Sequence, residues 1–186
     1  MGFSAEEKKV LIEIARRSVR SFLEKGLRDD DVFDTSDLPF SLRERKGVFI
    51  AIYNGITLRG CMGTILPVLP LWCACAENAR NAAHKDPRFL PLFVDELDCI
   101  RFEIVILETP RSLSDIAQLG EGTHGIILTK GFRKEVFLPD LLRGIPCTRE
   151  ELFTVLRLKA QIDQDDGNAA ESWEMFDAEV ISEITT

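Results

Sequence analysis

The chain has 186 residues, 45% of them hydrophobic, which is enough for one globular domain with a substantial core. Its net charge of −8 argues against a broad nucleic-acid face, because phosphate binding needs clustered positive charge. Five cysteines (Cys61, Cys73, Cys75, Cys99 and Cys147), with no export signal at the N-terminus and no apolar stretch long enough to span a bilayer, read as free thiols of a protein in a reducing cytoplasm.

Ser4 to Glu24 reads as an amphipathic helix, and the N-terminal element is expected over 4–25. Ser4 followed by Glu7 makes a capping box, Val10, Leu11, Ile14, Val19, Phe22 and Leu23 form the apolar stripe, and Gly26 stops the helix. Arg28 to Pro39 is acidic and turn-rich, so it is expected to be a surface connection rather than a cation site at Asp29-Asp30-Asp31.

Gly47 to Tyr53 is a β-rich apolar run, Asn54-Gly55 is a hairpin signal, and Ile56 to Ile65 is a second run. A two-residue Asn-Gly turn sets Tyr53 against Ile56, Ile52 against Thr57, Ile50 against Arg59 and Val48 against Cys61. In that register Gly60 faces Phe49 and leaves room for the ring, while Thr57, Arg59 and Cys61 share a face, with Arg59 about 7 Å from Cys61. Leu58-Arg59-Gly60-Cys61-Met62-Gly63 is therefore the place where a thiol, a cation and backbone freedom coincide. Cys61 and Arg59 are the candidate catalytic pair: the guanidinium would lower the thiol pKa from its free value near 8.5 and stabilise negative charge. A small buried cysteine is the competing account, since no partner base is evident from spacing. As a binding site, the set is Arg59, Gly60, Cys61, Gly63 and Arg88.

Pro67 to His84 reads as a helix that Pro70 can open. Leu71, Cys75, Ala79 and Ala82 form a small-residue stripe that allows close approach to a sheet, and Cys73, Glu77, Arg80 and His84 lie opposite. Asp86-Pro87 ends it, and Arg88 either reaches the site or pairs with Asp86. Cys99 to Glu108 alternates as a strand. The second half repeats the pattern: strand Gly125 to Leu128, turn Lys130-Gly131-Phe132, strand Arg133 to Leu138, helix Thr148 to Gln161 capped by Thr148, and a closing strand from Trp173 to Ile184. The expected organisation is a single domain over 1–186 with two degenerate β-β-α-β repeats, about 46–109 and about 123–185. Only the first copy carries Arg-Gly-Cys, so a ligand is expected in the cleft between the halves. His124 could face that cleft, but a loop histidine without a functional role is the more common outcome. With His84 and His124 as the only histidines and no Cys-x-x-Cys, neither a metal site nor a cofactor is expected.

The signature Leu58 to Gly63 resembles that of the AMMECR-type domain family, named after a human chromosomal region linked to Alport syndrome, midface hypoplasia and elliptocytosis. Gly47-Val48-Phe49-Ile50, Ala82-Ala83-His84-Lys85-Asp86-Pro87-Arg88-Phe89, Val136-Phe137-Leu138-Pro139, Leu158-Lys159-Ala160 and the segment from Trp173 to Val180 extend the resemblance across nearly the whole chain. The departures are His84 where the family often has an aromatic residue, Ala51 for threonine, Met62 for isoleucine and Gln161 for glycine. The resemblance implies an α+β fold with paired repeats around a barrel-like antiparallel sheet and flanking helices. It also implies an accessory role, because prokaryotic members are associated with Memo-like and radical SAM proteins. The expected function is a cytoplasmic binding protein that takes a small anionic ligand or a protein partner around Leu58–Gly63. A thiol-dependent enzyme with Cys61 as nucleophile is the alternative, and His84 or His124 would have to serve as its base.

Overall fold

Ser4 opens the first helix by the expected reciprocal cap: its hydroxyl accepts the Glu7 N–H at 3.2 Å, and the Glu7 carboxylate accepts the Ser4 N–H at 2.7 Å. The same carboxylate also takes the Ser41 hydroxyl. The fold is that of a computed structural model, which describes residues 2–26, 36–114, 124–139, 149–159 and 170–183. These belong to two compact units, Met1–Leu107 with Glu179–Thr186, and Glu108–Ala178. Both are built of antiparallel strands with helices, so the protein is α+β. The expected features at Arg28 to Asp31, Cys147, the Thr148 cap, Ala160, Gln161 and Ile184 lie outside the described residues.

Among the described residues, the first unit contains α1 (Ala5–Lys25), α2 (Phe40–Arg43), β1 (Gly47–Asn54), β2 (Thr57–Thr64), α3 (Leu71–His84), a 3-10 turn (Val94–Glu96) and β3 (Ile100–Leu107). β1 lies between β2 and β3, antiparallel to both. Its even-numbered residues Val48, Ile50 and Ile52 meet Phe102, Ile104 and Ile106 of β3 and pack under α1 and α3, forming the core with Leu11, Ile14, Val19, Leu71 and Cys75. Ala51, on the other face, is equally buried. β1 is thus covered on both sides, which is why it reads as a continuous apolar run rather than an alternating one.

The second unit contains β4 (Arg111–Ser112), β5 (His124–Lys130), β6 (Arg133–Phe137), α4 (Arg149–Lys159) and the first part of β7 (Glu171–Ser182). β5 is flanked by β6 and β7. Leu113, Ile126, Leu128, Phe137, Leu152, Leu156 and Met175 form its own core, with the Phe153 ring tilted against Trp173 at 4.3 Å between ring centres. The end of β7 belongs to the first unit, where the Glu183 N–H donates to the Phe102 carbonyl at 2.9 Å.

The hairpin register differs from expectation. Asn54 pairs with Thr57 and Tyr53 with Leu58, so the two tip residues are Gly55 and Ile56 rather than Asn54 and Gly55. Gly55 supplies the left-handed backbone (φ 57°), and Ile56 stands 96% exposed. The register then slips between Tyr53 and Ile52: Ile52 pairs with Gly60, Ala51 with Cys61 and Phe49 with Gly63, leaving Arg59 as the extra residue of a bulge. A one-residue slip moves a strand's side chains to the opposite face. Cys61 therefore lies beside Ala51, which Glu103 of β3 flanks on its other side, and not beside Val48.

Candidate functional site

The bulge assigns separate tasks to the residues of the signature. Gly60 faces α3: a Cβ there would lie 2.2 Å from the Ala82 carbonyl oxygen. The small-residue stripe of α3 does bring helix and strand together as expected, and Gly60 is where they touch. Gly63, not Gly60, makes room for Phe49, since a Cβ on Gly63 would fall 2.2 Å from the ring. The physical requirement read from the sequence is present, at the glycine three residues on.

Arg59 turns toward the segment after α3. Its Nε and Nη2 donate to the two oxygens of Glu96 at 2.8 and 3.0 Å, and Nη1 and Nη2 donate to the carbonyls of Leu90 and Pro91 at 2.6 and 3.2 Å. The Glu96 carboxylate in turn accepts the Phe93 N–H at 2.9 Å. Burial alone would raise the Glu96 pKa, but Arg59 and the Phe93 N–H hold it below the usual value.

The cation beside Cys61 is Arg88. Asp86, 4% exposed at the end of α3, accepts the Cys61 N–H at 2.8 Å. It also accepts Arg88 Nε and Nη2 at 2.9 and 2.7 Å and the Arg88 N–H at 3.1 Å. Arg88 Nη2 lies 3.4 Å from the Cys61 carbonyl oxygen. Of the two readings of Arg88, the pairing with Asp86 is realised, yet the Arg88 side chain remains 57% exposed. Asp86 thus ties strand β2 to helix α3 and orients the arginine.

Burial raises the Cys61 thiol pKa to about 11; Arg88 opposes the rise, while Asp86 and Glu103 add to it. Glu103, itself buried, accepts the Ser182 hydroxyl at 3.0 Å. Asp86 is a weak base: burial raises its pKa, but the hydrogen bonds from Arg88 and the Cys61 N–H outweigh that and leave it lowered. His84 Nδ1 is 2.6 Å from the Arg80 carbonyl oxygen, and its ring stacks on Phe22 of α1 at 4.4 Å. His124 belongs to the second unit, with Nδ1 2.6 Å from Asp177, whose carboxylate also pairs with Arg111 at 2.7 Å. Among the described residues no group of three or more His, Cys, Asp or Glu side chains is placed to hold a metal ion, and no helix is long and apolar enough to cross a membrane.

The structure thus brings together Cys61 and Arg88 and directs Arg59 elsewhere. Asp86, Glu96 and Glu103 were not singled out as site residues from the sequence. Asp86 had a signal, its place two residues before Arg88; Glu96 and Glu103 had none, because their partners are 37 and 79 residues away.

An α+β protein with an antiparallel hairpin, a bulged Arg-Gly-Cys strand and an Asp-Pro-Arg clasp is the class that fold and site define. Residues 12–181 match the AMMECR1 family model, and the chain belongs to that family. A protein of Thermotoga maritima is 39% identical over 126 residues, spanning 67% of this chain and 71% of that one. A protein of Methanothermobacter thermautotrophicus is 35% identical over 170 residues, spanning 87% and 86%. Among solved structures, the uncharacterized protein PH0010 from Pyrococcus horikoshii matches with a TM-score of 0.80 at 26% identity, covering 96% of this chain and 92% of that one.

Proposed function

We propose that this AMMECR1-family chain is a cytoplasmic accessory protein that acts by binding, and that its site is the surface of β2 around Leu58–Gly63 together with Arg88. Arg88 offers a guanidinium to an anionic group, carried by a small ligand or by a partner protein. The observation that carries this reading is the Asp86 clasp: it fixes Arg88 beside Cys61 while leaving the arginine more than half exposed. A preorganised arginine loses little freedom on meeting a ligand.

The thiol-enzyme alternative draws no support from the geometry. A thiol pushed up to about 11 is almost wholly protonated at neutral pH, and the carboxylates near it disfavour its thiolate. Asp86, held ionised by its donors, is a poor acceptor for that proton.

Titration of the 15N-labelled protein with acetate and with inorganic phosphate tests the binding reading. Selective, saturable shifts of the Arg88 Nε and Cys61 amide signals, absent in Arg88→Gln, are expected. Shifts no different from those caused by sodium chloride at equal ionic strength would refute it.

A further inference from the structure

The end of β7 leaves one of its edges open. β3 lies on one side of β7 and β5 on the other, but β5 pairs with it only from Glu171 to Asp177. Among the described residues no strand flanks Val180–Ser182 on that second side. Backbone N–H and C=O groups point alternately to the two edges of a strand. The Glu183 N–H faces Phe102 of β3, so the groups of Ser182 and Val180 face the open edge. Helix α1 borders this edge. Glu179 pairs with Lys8 at 2.8 Å and accepts the Phe3 N–H at 3.1 Å, and Glu183 pairs with Arg16 at 2.8 Å. A groove of about 500 Å³ runs between helix and strand, lined by Ala5, Lys8, Lys9 and Ile12 of α1 and by the Val180–Glu183 stretch of β7. Ala5 to Ile12 makes about 10 Å of helix and Val180 to Glu183 about 10 Å of strand, so both border it over the same length. Lys8 is spent on Glu179, whereas Lys9 is exposed and has no ion-pair partner among the described residues.

We infer that this groove takes an extended segment of a partner protein, which adds a strand to β7 at Val180 and Ser182, sets an apolar side chain against Ile12 and places a carboxylate on Lys9. The open edge selects this occupant. A lipid tail or other apolar molecule in the groove would take the Val180 and Ser182 backbone groups out of water and leave them unpaired, which is unfavourable. An extended backbone fills the same space and pairs them, with the helix-facing side chains giving specificity. Alternate residues of the added strand face α1, so the apolar residue and the carboxylate stand two positions apart. Lys9 supplies the charge complementarity locally. Fields from more distant charges are screened within about 8 Å at physiological ionic strength, so the net charge of −8 does not set this contact. The groove lies wholly in the first unit, whose β2 forms the far edge of the strand order, and it involves neither Cys61 nor Arg88. The inference therefore goes beyond the binding reading above and stands independently of it.

Selection from a displayed library of random octapeptides on the intact protein, followed by affinity measurements with the synthesised consensus peptide, tests this. The selected peptides should carry an apolar residue and an Asp or Glu two positions apart. Val180→Pro removes an outward N–H at an edge position, where proline is tolerated, and should weaken binding about tenfold or more at an unchanged melting temperature. Methylating the peptide's own amides one at a time should weaken binding at alternate positions only. That pattern reads the same contact on the unaltered protein, so it decides the matter even if Val180→Pro fails to fold. Lys9→Glu, at an exposed site, should abolish the acidic preference while the apolar preference stays. No enrichment, or a consensus peptide insensitive to N-methylation, would overturn the added strand, whatever acetate and phosphate do to the Arg88 signal. An acidic preference that survives Lys9→Glu would overturn the contact with Lys9. A concentration-dependent dimer lost in Val180→Pro, or saturable binding of sodium decanoate in the groove with no peptide selected, would overturn the assignment to a partner segment.

Discussion

The Asp86 carboxylate accepts the backbone N–H of Cys61 at 2.8 Å, joining the end of α3 to the open edge of β2 across 25 residues of sequence. Both partners lie in the segments that resemble the family's signatures, and one hydrogen bond makes a single unit of them. The same carboxylate aligns Arg88, so the placement of that guanidinium depends on Asp86.

Removing that carboxylate should be costly. Asp86→Ala leaves the Cys61 N–H without its acceptor and frees Arg88, and we expect a loss of about 2–3 kcal/mol in urea unfolding. Arg88→Ala leaves the buried Asp86 charge with only backbone donors, so it too should destabilise. The double variant should cost less than the sum of the two, because the pair is coupled.

Acid should weaken the fold through the same group. The Asp86 pKa is lowered in the folded state, so the unfolded chain takes up the proton first as pH falls. The stability it contributes is full above the unfolded carboxylate value near 3.9 and is lost as pH drops through the lower folded value. Glu96, lowered likewise by Arg59 and the Phe93 N–H against the effect of burial, acts in the same direction. Unfolding free energies measured between pH 6 and pH 2 should therefore decline steeply below about pH 4. Asp86→Asn should flatten that decline, and an unchanged slope would contradict the account.

The two signature glycines should differ in how they respond to alanine. Gly63→Ala collides with the Phe49 ring, a side chain that can be cut back, so Phe49→Leu should recover part of a loss of about 1–3 kcal/mol. Gly60→Ala collides with the Ala82 carbonyl oxygen, which is backbone, and no side-chain substitution on α3 should relieve it. Thermal melts of the single and double variants check this.

Much of this was legible in the sequence, and the failures have a common cause. The capping box at Ser4, the helix stripes and the strand Ile100–Leu107 follow from local periodicity and end-capping, which act over a few residues. The hairpin was legible as a hairpin, but its register was not. The one extra residue at Arg59 has no local mark, and it arises because β2 must place Gly60 under α3 and Gly63 under Phe49 at once. From that slip follow the exchange of faces at Cys61 and the replacement of Arg59 by Arg88 as the neighbouring cation. The short elements Phe40–Arg43, Val94–Glu96 and Arg111–Ser112 were not anticipated, since pieces of two to four residues carry no period to read.

Arg59→Ala should loosen the loop without unfolding the unit. We expect about 2 kcal/mol of lost stability and markedly faster hydrogen exchange at the Phe93 amide. Arg59→Lys should not restore protection, because an ammonium cannot span Glu96 and two carbonyls as the planar fork does.

The central claim is that Cys61 is a half-buried member of a binding surface and not an activated nucleophile. Its rate of alkylation by iodoacetamide, followed by mass spectrometry from pH 6 to pH 11 with the exposed Cys99 as internal reference, tests this most directly. The account predicts that Cys61 reacts on the order of a hundredfold more slowly at neutral pH than a free thiol of pKa near 8.5. Its rate should still be climbing at the top of the range, in line with a pKa of about 11. Labelling of Cys61 ahead of Cys99, with an apparent pKa below 8.5, would contradict it.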